Sequence, residues 1–199
     1  MDHVSTWFQS ALLPEKWEVA GVSCASLSVW HYFALEQTGN PYLHGTRINR
    51  DHAAALLMYC CGDYQHGRRL FTGPFYRQRF MRRIARKLKR RDWPDIDAAI
   101  IDYLQTCLRC PAHKSRVPKA GETAKTVKAP AAWVLVDYLS GGAPSRIDAA
   151  WDAPYAVARC LFDAHRDIKG DDDSLESIED EIYNDRYIER ERERLKNGG

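Results

Sequence analysis

WEVAGVSCASLSVWHYFALEQTGNPY, residues Trp17 to Tyr42, decides how the chain is read. It opens extended, with Val19, Gly21 and Val22 beside small residues. It then turns helical. Ser26 or Ser28 is the N-cap, because a serine oxygen accepts a bond from a free N–H of the first turn. Val29, Trp30, Phe33, Ala34 and Gln37 recur at helical spacing, so one face is apolar. Gly39 and Asn40 end the helix and Pro41 forbids its continuation. His31, between Trp30 and Tyr32, reads as a buried, hydrogen-bonded histidine rather than a catalytic one.

Working outward, helices dominate. Val4 to Leu13 form a short amphipathic helix that Pro14 stops. Trp7 and Phe8 on it are either core or a docking contact. A loop, Leu43 to Arg50, leads to Asp51 as N-cap of the helix HAAALLMYCCGDY, apolar on most sides and therefore central. Cys60 and Cys61 lie on it. Adjacent helical residues point about 100° apart, so the pair reads as core packing rather than a shared metal site. Gly67, Gly73 and Pro74 read as a linker. The next segment, FYRQRFMRRIARKLKRRDW, repeats Tyr76, Phe80, Ile84 and Leu88 at i, i+4, i+8, i+12, with Met81 and Ala85 widening the stripe. Arg and Lys cover the rest. Such a helix either packs on the core with a solvated basic face or contacts nucleic acid or an anionic surface through Arg82, Arg83, Arg86 and Lys87.

DIDAAIIDYLQTCLRC is a further amphipathic helix, with Ile96, Ala99, Ile100, Tyr103, Leu104 and Cys107 on one face. Residues 112–129 turn to Lys, Pro, Ser, Thr, Gly and Ala, too few apolar groups to offset ordering entropy. Beyond this linker, Pro130 starts a helix that Gly141-Gly142 ends. RIDAAWD follows, and Pro154 opens a third helix with Tyr155, Ala158, Leu161, Phe162 and His165 as its stripe. The tail from 171 scatters Leu175, Ile178, Ile182 and Ile188 among charges. It reads as a partly disordered, solvated helical tail that orders on a partner.

The expected organisation is thus mainly α: a single helical bundle with a short extended N-terminal segment. Residues 1–111 form an N-terminal part carrying the basic helix, 112–129 a flexible linker, 130–170 a helical group packed on the first part, and 171–199 a charged tail. The 199-residue chain suffices for one sizeable core. Its net charge of +2 hides an asymmetry. From Arg68 to Pro130 there are 17 Lys/Arg and 5 Asp/Glu. From Asp163 to Gly199 there are 13 Asp/Glu and 7 Lys/Arg. The basic middle and acidic tail either attract each other or face different partners. No apolar run reaches the ~20 residues of a membrane helix, and no secretory signal is visible. The six cysteines therefore read as reduced.

Chemistry-bearing motifs are sparse. Cys107-x-x-Cys110-x-x-His113 is half of a zinc signature, and a structural site wants four ligands. Asp171-Asp172-Asp173 lacks the alternating ligands and closing glutamate of a calcium loop. No nucleophile elbow, phosphate-binding glycine loop or H-E-x-x-H occurs. The expectation is a protein that is not an enzyme, with no metal and no cofactor.

Two pieces of the chain carry a resemblance. Leu27, Ser28, His31, Leu35 and Glu36, followed by Asn40, Pro41 and Tyr42, stand in the order found in small helical tail-assembly proteins of tailed bacteriophages. The late block is similar too: Pro130 and Trp133, then Trp151-Asp152-Ala153-Pro154, then Ala158 to Phe162. Ala153-Pro154 stands where the family often has Met-Pro. The basic helix and the acidic tail have no counterpart. The resemblance implies a tail-assembly chaperone, acting without chemistry in the host cytoplasm. Its partner would be the phage tape-measure protein, whose long apolar helices need cover while the tube polymerises, with self-association possible and no membrane involved. Trp7, Phe8, Trp30 and Phe33 are the candidate client contacts. The alternative is a nucleic-acid-binding accessory protein acting through Arg82, Arg83, Arg86 and Lys87.

Overall fold

The computed structural model describes residues 13–44, 48–109 and 129–168, with side chains as far as His165. Of the expected segments, 4–12 of the first helix, 112–128 of the linker at 112–129 and the whole tail at 171–199 lie outside the described residues. The architecture is mainly helical, with one two-stranded antiparallel sheet among the described residues.

The extended opening is a hairpin. Strands β1 (Lys16–Val19) and β2 (Val22–Ala25) pair Val19 with Val22, which leaves a two-residue turn at Ala20-Gly21. Both turn residues have positive φ, 49° and 77°, as the turn that matches strand twist requires. Glycine meets that demand freely at the second position. Valines alternate inward, and Cys24 follows them into the core.

Helix α1 (Val29–Gln37) begins where the sequence placed it. Ser28 is the N-cap. Its hydroxyl accepts the His31 N–H at 3.3 Å, and its own N–H donates to His31 Nδ1 at 3.0 Å. This is a reciprocal capping box with histidine in the third position. Ser26 instead binds the Pro14 carbonyl and accepts from Trp17 Nε1. A short helix α2 (Pro41–His44) follows, capped by the buried Asn40 side chain.

Helix α3 (Arg50–Cys60) starts earlier than expected. The cap is Asn49, not Asp51, because the Asn49 amide oxygen takes both the Asp51 and His52 N–H groups at 3.0 Å. Asp51 sits in the first turn, where a negative charge suits the helix dipole. The helix ends at Cys60, with Cys61 as its cap, rather than running on through Gly62 and Asp63.

The largest departure is at Gly67. It lies inside helix α4 (Tyr64–Thr72), not in a linker. A Cβ built there would stand 1.8 Å from the Trp30 indole nitrogen. The bare glycine lets α4 lie directly against Trp30. Asp63 caps this helix through the His66 N–H at 2.7 Å. Gly73 then ends it and leads into helix α5 (Pro74–Leu88), with Pro74 in the first turn. Helix α6 (Trp93–Cys107) buries Ile96, Ile100, Tyr103, Leu104 and Cys107.

The described residues resume with α7 (Ala131–Ser140), a 3-10 turn at Pro144–Arg146, α8 (Ile147–Asp152) and α9 (Tyr155–Ile168). These pack on α1 and α4. The two parts are also joined through backbone. Val29 N–H donates to the Ala153 carbonyl at 3.0 Å, and Tyr155 N–H to the Leu27 carbonyl at 2.8 Å. The start of α1 and the start of α9 thereby form an isolated antiparallel bridge. Asp152 adds a cap in trans, accepting the Tyr64 N–H at 2.7 Å. The expected α9 stripe is partly displaced: Leu161 is 48% exposed, while Ala156, Cys160 and Asp163 are buried.

His31 closes the joint. Its Nδ1 accepts from a backbone N–H, so the ring proton sits on Nε2, which donates to the Gly62 carbonyl at 2.6 Å. Burial disfavours the imidazolium and lowers its pKa to about 4, against the opposing hydrogen bonds to backbone carbonyls. The unfolded chain takes up that proton near pH 6.5, the folded chain only near 4. Stability from this group is full above pH 6.5 and falls as pH drops towards 4, by about 3 kcal/mol in all.

Two outcomes follow. Gly67→Ala, which in an open helix would add up to about 1 kcal/mol, should instead lower the urea-unfolding free energy by about 1–3 kcal/mol. A stabilised variant would contradict the close approach. His31→Gln keeps one acceptor and one donor but cannot protonate. Its unfolding free energy should lose the wild-type decline between pH 6.5 and 4; an unchanged pH profile would contradict the assignment.

Candidate helix-binding groove

Helices α3 and α5 pack closely and are clamped at one end. Arg50, in the first turn of α3, donates to the Leu88 carbonyl at 2.8 Å and to the Arg91 carbonyl at 3.1 Å. It thus adds a second donor to the Leu88 carbonyl at the end of α5, which also accepts the Arg91 N–H at 3.2 Å, at a terminus where a cation is also favoured by the dipole. Its guanidinium lies over the Trp93 ring, 5.9 Å from the centroid. From this clamp the basic helix buries Ile84 and Leu88 and half-buries Phe80, Met81 and Ala85. The expected stripe is therefore the packed face, except that Tyr76 at its N-terminal end is 38% exposed.

Towards the start of α5 the two helices leave a groove of about 580 Å³. Ala55, Met58 and Tyr59 of α3 form one wall. Pro74, Phe75, Gln78 and Met81 of α5 form the other, with Arg77 and Arg82 at the rim. The small Ala55 side chain leaves the space, and two unbranched methionines give it an adaptable lining. Tyr59 is fixed by stacking on Phe71, with centroids 5.6 Å apart. Burial raises its hydroxyl pKa, so the phenol stays neutral. Phe75 is 86% exposed, the most open of the large apolar side chains in the structure's described residues.

Arg77 and Arg82 make the rim electropositive, and the basic face of α5 continues beyond the groove. Arg77, Arg79, Arg82, Arg83, Arg86 and Lys87 are all exposed and form no ion pair among the described residues. Arg86 Nε bonds the Arg82 carbonyl, and Lys87 Nζ reaches the Gly21 carbonyl at 3.1 Å. An apolar trough with cations along one edge suits an amphipathic helix whose polar face is acidic.

The sequence-derived contact residues fall elsewhere. Trp30 is in the interior, 6% exposed, with its ring against Tyr64, Phe71 and Trp151 at 5.2, 5.5 and 6.0 Å. It builds the core. Phe33 is half-buried, tilted against Trp151 at 5.4 Å and edge-on to the exposed Trp133 at 6.4 Å. Trp7 and Phe8 lie outside the described residues. Arg82, Arg83, Arg86 and Lys87 do share one exposed face, and Arg82 alone of them lines the groove. Ala55, Met58 and Phe75 went unread in the sequence. The signal available for Phe75 was its position one residue off the stripe that ends at Tyr76.

Cys107 of the half zinc signature is buried, its thiol pushed up to about 11 by burial. Cys110 and His113 lie outside the described residues. Among the described residues no three His, Cys, Asp or Glu side chains gather closely enough to hold a metal ion. No helix among them is long and apolar enough to cross a membrane. Comparison of the chain with family models, characterised proteins and solved structures finds no match.

Because Phe75 buries little, Phe75→Ser should leave the thermal-unfolding free energy within about 0.5 kcal/mol of wild type. It should at the same time reduce the fluorescence of an apolar dye added to the native protein. A loss of stability above about 1 kcal/mol would show that Phe75 is packed rather than presented.

Proposed function

We propose that this protein is a non-enzymatic tail-assembly chaperone of the tailed-bacteriophage kind, working in the host cytoplasm on the tape-measure protein. The observation that carries the reading is the apolar, cation-rimmed groove between α3 and α5. It offers a trough to one helix of a client and leaves the client's next segments to other copies. The resemblance of the Leu27–Tyr42 and Pro130–Phe162 blocks supplies the client's identity. Tape-measure proteins are long and helical, and an exposed apolar stripe on such a helix aggregates unless covered.

The exposed Arg82, Arg83, Arg86 and Lys87, which form no ion pair among the described residues, favour a second reading, a nucleic-acid-binding accessory protein. The two differ in which substitutions matter. Phosphate contact depends on charge and weakens steeply with salt through counterion release. Client binding depends on the groove's shape and apolar lining.

Co-expression with the tape-measure protein should increase its soluble fraction and give a complex on size exclusion. Ala55→Arg, which fills the groove from a half-buried position, should weaken that complex at least tenfold. Reversing Arg83 and Arg86, away from the groove, should weaken it less than threefold. No complex, or a complex indifferent to Ala55→Arg, contradicts the proposal. Duplex or single-stranded DNA bound at micromolar affinity in physiological salt, and lost on reversing Arg83 and Arg86, supports the second reading instead.

A further inference from the structure

The groove between α3 and α5 has a complement in its own chain. Between Pro74 and Arg91 there are nine Lys/Arg and no Asp/Glu, with Arg77 and Arg82 on the groove's rim. Residues 171–185, DDDSLESIEDEIYND, hold eight Asp/Glu and no Lys/Arg. The acidic excess of the chain's last part is concentrated there, since residues 186–199 carry five Lys/Arg against three Asp/Glu. Within the acidic stretch Leu175, Ile178 and Ile182 recur at i, i+3, i+7. At about 100° per residue those three positions span about 60° of a helix. Glu179 borders the stripe on one side and Asp185 on the other, with Glu176, Asp180 and Glu181 farther round.

Charge selects this groove over other apolar spots on the described surface. The exposed Trp133 lies on α7, whose one charged residue is Asp137. The exposed Ile101 lies on α6, which carries Asp95, Asp97 and Asp102 without a Lys or Arg. An acidic segment gains no cation on either helix. In the groove, Met58 and Met81 line the trough with adaptable apolar surface, Phe75 stands open beside them, and Arg77 and Arg82 are exposed at the edge. Covering three aliphatic side chains supplies attraction that salt does not screen, and the charges at the edge add register and a part that salt does screen. The described chain runs to Ile168 in α9, so residues 169–174 tether Leu175 to the folded body. A short tether that spans its two sites gives an effective concentration of about millimolar, so even a weak contact is populated.

We propose that residues 171–185 occupy the α3–α5 groove of the same chain when no client is bound. Leu175, Ile178 and Ile182 enter the apolar trough, and the carboxylates beside them lie along Arg77 and Arg82. The segment is then an internal competitor that a client helix displaces, and the client's apparent affinity is reduced by the fraction of chains whose groove is filled. This inference rests on the reading of the groove as a helix-binding site.

The full chain carrying Phe75→p-benzoylphenylalanine, a photo-cross-linker at an exposed position, tests this without any client. Illuminated at low micromolar concentration, it should give an intramolecular cross-link to the peptide containing residues 171–185. Reversing Glu176, Glu179 and Glu181 to Lys should reduce the yield at least fivefold. Salt at about 1 M, where the Debye length falls to about 3 Å, should also reduce it several-fold. No cross-link, a cross-link to another segment, one that joins two copies, or a yield indifferent to charge reversal overturns the proposal. These arms fail or succeed whether or not the tape-measure complex forms, so the two readings fall separately. Where that client does bind, it should abolish the cross-link, and a bound client that leaves the cross-link unchanged also overturns the proposal.

Discussion

The contact between the Trp30 indole and the bare backbone of Gly67 is the constraint on which the rest of the structure depends. It brings α4 against α1 at a separation no other residue at position 67 allows. Once there, Tyr64 and Phe71 of α4 stand edge-on to Trp30, and Trp151 of α8 stacks on Tyr64 at 5.6 Å. Trp133 of α7 completes the cluster, edge-on to Trp151 at 5.0 Å. Aromatic pairs in such geometry add about 0.5–1.5 kcal/mol each beyond the area they bury. The cluster has a cost. The indole N–H groups of Trp30 and Trp151 are buried with no hydrogen-bond acceptor among the described residues. An unmet donor costs about 1–3 kcal/mol, which the surrounding ring contacts outweigh only if they stay close.

The same stretch of chain does two other jobs. Its backbone at Leu27 and Val29 pairs with Ala153 and Tyr155, and its His31 holds the Gly62 carbonyl. The hairpin, the C-terminus of α3 and the late helices therefore converge on residues 27–31. This leaves α5 at the periphery. It is anchored by Ile84 and Leu88, by the Arg50 clamp at its end and by Lys87 on the hairpin turn. Its first two turns are held less tightly against α3, and the groove opens there. A rigid centre with a basic helix at its edge suits a module that grips another helix without rearranging its own core.

Much of this was legible in one dimension, and the failures share a cause. The Ser28 cap, the α5 and α6 stripes, the proline start at 130 and the helix end at Gly141 are local features, set by residues within a turn or two of one another. Gly67 was misread because a helical glycine demanded by a distant indole looks, in sequence, the same as a chain break. Asp51 and Asn49 are both good caps by type, and only the backbone path chooses Asn49. Trp30 was open to either core or surface because the rings that cover it, Tyr64, Phe71 and Trp151, come from other elements. The groove was least legible. Its walls join Ala55 and Met58 of a helix that reads as wholly buried to Phe75, which sits just off the stripe of a helix that reads as basic.

The most direct test of the central claim, that the α3–α5 groove is where a client helix binds, is amide hydrogen exchange of the full chain with and without the tape-measure protein. The account predicts slowed exchange concentrated in residues 55–59 and 77–82, with the α7–α9 face unchanged. Protection confined to the Trp133 and Leu161 face, with the groove exchanging as in the free protein, would contradict it.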